Sequence, residues 1–139
     1  MFRTCFIVSL FFVSSSFSIS EKELTRVLQA IRIVESNNTP SAVGDGGNAI
    51  GVYQIWESYW KDATEFSNLG GKYRDCFVPE YADRVVRCYM KRYATPRRLG
   101  REATMQDIAR IHNGGPNGYK KQATLKYWKK VEKMSMLLS

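Results

Sequence analysis

The sequence predicts an α+β domain dominated by helix, in which one small β-hairpin lies beside the end of the first helix. Three observations predict it. Apolar residues recur at helical spacing in four or five stretches, one short segment (residues 44–55) has glycine-framed strand character, and barely ten residues connect it to the first helix. A chain of 139 residues is one domain by size, with a single modest core.

The first twenty residues are predicted to lie outside that fold. MFRT carries a positive charge, CFIVSLFFV is an apolar run of nine, and SSSFSIS supplies small residues. Together they predict a secretory signal peptide over residues 1–20, cleaved after Ser18 or Ser20. The run is well short of the ~20 residues a membrane span needs. The domain proper, residues 21–139, is then exported, and Cys76 and Cys88 are the pair left to form a disulfide in an oxidising compartment. Their spacing does not suit zinc, and the lone His112 cannot complete a site, so no metal or cofactor is expected.

Each element has its own signal. Ser20 and Glu23 in SEKE form a capping box, and Leu24, Val27, Leu28, Ile31 and Val34 follow on one helical face. Glu35 falls four residues after Ile31 and so extends that apolar stripe, before Asn37, Asn38, Thr39 and Pro40 end the helix. DGGN supplies turn residues, and AIGVYQI reads as a strand or hairpin arm. WESYWKDATEF resumes a helical pattern, with Trp56, Tyr59, Trp60 and Ala63 on one side. A helix from about Pro79 to Tyr93 follows the SNLGGKYRDC loop, with proline in its first turn. TPRRLGREA reads as a basic loop. Thr104 and Asp107 cap a short helix to His112, which NGGPNG closes. The last helix, about Ala123 to Leu137, buries Leu125, Trp128, Val131 and Met134.

The charge is lopsided. Residues 21–83 hold 6 Lys+Arg against 10 Asp+Glu, whereas residues 84–139 hold 14 against 3. Such a basic half attracts anionic surfaces through long-range, salt-sensitive forces, although the lysines and arginines also fit an ordinary solvated face. No nucleic-acid-binding motif accompanies them.

Two carboxylates stand at contrasting positions, Glu35 on an apolar stripe and Asp45 in a glycine-rich turn. Cleaving a glycosidic bond needs a proton donor for the departing oxygen and, in many enzymes, a second, ionised carboxylate against the sugar. An apolar setting penalises a charged acid, and a wet, polar turn favours one. The pair fits those two demands, although a glutamate at a helix end and an aspartate in a turn are each commonplace. His112 and Asn113 at a helix end, and one of Tyr53 and Gln54 on the presumed strand, are candidates to meet a saccharide. Trp56 and Trp60 read as core. Asn37-Asn38-Thr39 is a glycosylation sequon that would crowd the cleft, so it is expected to be unoccupied.

Several motifs then sharpen the reading. ES at Glu35–Ser36, the segment at Asp45, GVYQI at Gly51–Ile55, YW at Tyr59–Trp60, YMKRY at Tyr89–Tyr93, ARIHNGGPNG at Ala109–Gly118 and YW at Tyr127–Trp128 resemble the invertebrate-type lysozymes, the family that includes destabilase. The resemblance spans nearly the whole domain. It implies a lysozyme-like fold and hydrolysis of the β-1,4 bond between N-acetylmuramic acid and N-acetylglucosamine in peptidoglycan, for defence or digestion of bacteria. It also implies Glu35 as general acid and Asp45 as nucleophile or electrostatic stabiliser. The family is usually rich in disulfides, and this chain is cysteine-poor. The serine that destabilase-like members place three residues after the aspartate is Asn48 here, so isopeptidase activity is not expected. The same core also resembles lytic transglycosylases, which use the glutamate alone. The basic half leaves a non-catalytic, wall-binding cationic protein as a further alternative.

Overall fold

The computed structural model describes residues 19–139. The predicted signal peptide lies outside the described residues except for its last two positions. Helix α1 (Glu21–Ser36) starts at the capping box that its sequence announces: the Ser20 hydroxyl accepts from the Glu23 amide, and the Glu23 carboxylate accepts from Ser20 N–H at 3.0 Å. Its buried face carries Val27, Leu28, Ala30 and Ile31. It ends at Asn37, whose left-handed backbone (φ 52°) a short polar side chain tolerates.

Strands β1 (Val43–Gly44) and β2 (Ala49–Ile50) pair antiparallel, Val43 opposite Ile50, around a tight turn at Asp45–Gly47. The predicted strand over AIGVYQI is therefore much shorter than expected. Gly51 turns the chain at φ 75°, and a Cβ there would sit 2.2 Å from the Cys76 carbonyl oxygen. Only glycine lets the two segments touch, and the chain reverses through Gly51–Gln54 instead of extending. The Ser36 hydroxyl donates to the Val52 carbonyl at 2.9 Å, fastening the end of α1 to this reversal.

Helix α2 (Glu57–Ser67) packs on α3 (Pro79–Tyr93), joined through a 3-10 turn at Tyr73–Phe77. The expected basic loop contains a one-turn helix α4 (Pro96–Leu99), capped by the Thr95 hydroxyl with proline at its start. Helix α5 (Met105–Gly114) begins at Thr104, again with a capping box. Its Asp107 is 2% exposed but accepts from Thr104 and from both terminal nitrogens of Arg101, at 2.6 and 3.0 Å. Helix α6 (Leu125–Leu137) packs against α1 and α5. The core joins α1, the hairpin, α3 and α5, with Val131 of α6. No helix among the described residues is long and apolar enough to cross a membrane.

The expected disulfide is absent: Cys76 and Cys88 are both free thiols. Cys76 lies before α3 in the 3-10 turn, whereas Cys88 is nine residues into that helix. A rise of ~1.5 Å per residue carries Cys88 roughly 13 Å from the helix start, beyond disulfide reach. Such a short bridge would add about 2–4 kcal/mol. One or two fully buried side chains, at ~1.5–3 kcal/mol each, contribute as much. The core holds Leu28, Ile31, Val52, Tyr53, Ile55, Ile108 and Ile111, each 2% exposed or less.

Candidate active site

The end of α1 and the hairpin turn meet at one small pocket lined by Glu35, Asp45, Gln54, Trp56, Tyr59, His112 and Asn113. Its volume is ≈ 130 Å³. The two carboxylates that the sequence sets apart by local character thus share a cavity.

Glu35 is held from behind. The Tyr127 hydroxyl, on α6, donates to its Oε1 at 2.8 Å, and its side chain is 21% exposed. His112 Nε2 lies 3.7 Å from the same oxygen. Burial lowers the His112 pKa from its ordinary value, outweighing the nearby Glu35 and the Tyr53 carbonyl, which favour the charged ring. The ring is therefore neutral near pH 7, and its neighbours fix the tautomer. Nε2–H donates to the Tyr53 carbonyl at 3.0 Å, and Nδ1 accepts from the Tyr59 hydroxyl at 3.1 Å. Tyr59 in turn stacks on Tyr89, with ring centroids 3.6 Å apart. Its hydroxyl keeps its proton, because burial and then Tyr89 push its pKa well above the usual value.

Asp45 is exposed and wetter. It opens a run of positive φ angles, 48° at Asp45, 65° at Gly46 and 98° at Gly47, which explains the DGG sequence. Trp56 donates its indole N–H to Asp45 Oδ2 at 3.2 Å, fixing the carboxylate.

The candidate saccharide residues divide. Gln54 reaches the pocket, its amide donating to the Gly51 and Ala42 carbonyls at 3.0 and 3.3 Å. Asn113 is exposed on the pocket rim. Tyr53 is 0% exposed and donates to Asp83 at 2.7 Å, so it belongs to the core and contributes only its carbonyl. His112 lines the pocket, but its side chain is 4% exposed and both nitrogens are engaged by Tyr53 and Tyr59, which leaves neither free for a ligand. Trp60 packs against the core as expected, donating to the Tyr81 hydroxyl. Trp56 does not: it is 46% exposed, because the residue before α2 projects from the helix start beside the hairpin. Tyr127 is the residue that sequence reasoning missed. Only its place in the YW motif marks it, since no local spacing tells that its hydroxyl crosses 92 positions to reach Glu35. Among the described residues no cluster of His, Cys, Asp or Glu is spaced to hold a metal ion.

A helical domain whose first helix delivers a glutamate to a pocket shared with a hairpin aspartate has the build of a lysozyme-type glycoside hydrolase. The comparisons agree. The destabilase family model matches residues 25–134. A lysozyme of Meretrix lusoria is 36% identical over 113 residues, covering 79% of this chain and 88% of that one. Invertebrate-type lysozyme 6 of Caenorhabditis elegans is 34% identical, covering 76% and 82%. The Meretrix lusoria lysozyme solved in complex with Aeromonas hydrophila PliI superposes with a TM-score of 0.66, over 78% of this chain and 87% of that one. The Tapes japonica lysozyme, 30% identical, gives the same TM-score and coverage. This chain belongs to the destabilase family, the invertebrate-type lysozymes.

Proposed function

We propose that this chain is a secreted muramidase that cuts the β-1,4 bond between N-acetylmuramic acid and N-acetylglucosamine in bacterial peptidoglycan, with Glu35 as proton donor and Asp45 as its partner. The observation that carries the assignment is the pocket that the two carboxylates share. Tyr127 occupies Oε1 of Glu35, which leaves Oε2 to pass the proton to the leaving oxygen. Trp56 occupies Oδ2 of Asp45, which leaves Oδ1 for the anomeric carbon, as nucleophile or as stabiliser of its developing charge. Glu35, now ionised, then takes a proton from the water that completes hydrolysis. The basic half, with 14 Lys+Arg against 3 acids over residues 84–139, favours approach to anionic walls.

The test is clearance of a Gram-positive wall suspension by wild type and Glu35→Gln. Loss of lysis by at least about a hundredfold, with the fold intact, supports the role of an acid; full activity refutes it. Asp45→Asn should lose comparable activity and leave hydrolytic, reducing ends in whatever is cut. Anhydro sugar ends would instead point to a glutamate acting alone. Killing that survives Glu35→Gln but fades with salt would mark a cationic, non-catalytic protein.

A further inference from the structure

The last turn of α6 carries an apolar patch that the core does not use. Among the described residues seven large apolar side chains are exposed, and four of them, Val43, Trp56, Phe66 and Val78, stand singly in the sequence. The other three, Met136, Leu137 and Leu138, are consecutive and 64%, 73% and 40% exposed. The helix turns Val131 and Ser135 to the interior instead. Single exposed apolar residues are ordinary, whereas a contiguous group marks a surface that meets a partner.

We propose that this end of α6 is a docking site for an anionic lipid bilayer, which holds the protein peripherally on a membrane surface. Charge singles out that occupant. Lys126, Lys130 and Lys133 recur at helical spacing in line with Leu137, Lys129 lies beside them, and all four lysines are exposed. None of the four forms an ion pair among the described residues, and α6 itself holds one acid, Glu132.

A second observation points to an anion at the same place. Met136 borders a hollow of ≈ 440 Å³ whose lining includes Arg26, Met105, Gln106, Trp128 and Glu132. Arg26 Nε is buried without a hydrogen-bond partner, and Nη2 donates only to the Met105 sulfur at 3.4 Å, a weak acceptor. Glu23, the other acid of the hollow, is engaged by Ser20, and Arg26 forms no ion pair among the described residues. A guanidinium so placed lacks a counter-ion, which a lipid phosphate beside Met136 supplies.

Lysines alone would suit any anionic polymer, and apolar side chains alone would suit another protein. A bilayer uses both, since its headgroups attract the cations while the apolar residues enter the acyl boundary. Docking leaves the carboxylate pocket clear. Tyr127, which reaches Glu35, lies nine residues before Met136, ~13 Å away along the helix.

The test is flotation of the protein with vesicles of phosphatidylcholine, with and without about one-third phosphatidylglycerol. Anionic vesicles should bind at least about tenfold more protein than neutral ones. Met136→Gln combined with Leu137→Gln keeps helix-forming residues and should weaken binding to anionic vesicles at least about tenfold. The same variant should clear a wall suspension at its parent's rate. Leu137→Gln alone, at the most exposed of the three, should show a partial loss if the pair fails to fold. Equal binding to both kinds of vesicle, or apolar variants that bind like their parent, overturns the proposal. Self-association without vesicles that these variants abolish would give the patch to a second copy and overturn it too. Glu35→Gln should bind vesicles like its parent, so docking stands or falls separately from the muramidase assignment.

Discussion

The hydroxyl of Tyr127 lies 2.8 Å from Oε1 of Glu35 and donates to it, tying the last helix to the end of the first. Burial, then Glu35, push the tyrosine pKa well above its usual value, so it remains a donor throughout the working range. A hydrogen bond of this kind is worth ~0.5–1.5 kcal/mol net, and under the proposed mechanism it leaves Oε2 of Glu35 to face the substrate. Tyr127→Phe should fold normally and lower kcat by about tenfold with little change in KM. Steady-state rates on a soluble wall fragment would show this; an unchanged kcat would reduce Tyr127 to core packing.

His112 makes stability depend on pH. In the folded chain it titrates below the ordinary 6.5, while in the unfolded chain it titrates at that value. Below pH 6.5 the unfolded chain gains a proton that the folded chain resists. The contribution is complete above 6.5 and is lost as pH falls towards the folded value. The melting temperature should therefore drop between pH 7 and 5. His112→Gln, which can still donate to Tyr53 and accept from Tyr59, should drop less steeply over the same range. Parallel slopes in thermal scans would assign the acid sensitivity to other groups.

The two thiols should behave differently from each other and from a disulfide. Cys76 is 0% exposed, and its pKa is pushed up to about 12, mainly by burial. A thiol reagent at pH 8 should leave Cys76 untouched until the protein unfolds, with any native-state reaction confined to the half-buried Cys88. Adding a reductant should leave the melting temperature unchanged. A fall of several degrees would reveal a cross-link that the geometry does not provide.

Processing should respect the helix cap. Ser20 holds the capping box of α1, and Ile19 packs against the core. Cleavage after Ser18 keeps both, whereas cleavage after Ser20 removes both and costs about 1 kcal/mol for the cap alone. Protein beginning at Glu21 should melt a few degrees below protein beginning at Ile19. Equal melting temperatures would show the cap to be dispensable.

What the sequence made legible was local. Capping boxes at Ser20 and Thr104 need only residues three positions apart, and both appear with their predicted partners. The contrast between Glu35 and Asp45 is likewise a matter of neighbouring residues. The errors arose where distant contacts decide. Gly51 is a reversal rather than strand because Cys76 presses against it, 25 positions away. Tyr53 looked like a pocket residue until Asp83 claimed its hydroxyl, and Trp56 looked like core until the hairpin claimed its indole. Cysteine count suggested a bridge that the length of α3 forbids.

The bond between α6 and Glu35 also bears on the order in which the site is assembled. The carboxylate is made early in synthesis, and the hydroxyl that orients it comes 92 residues later. Until that final segment has emerged and docked, a nascent chain holds its acid without its clamp. Orienting Glu35 is thus a late event in folding, complete only when α6 docks on α1.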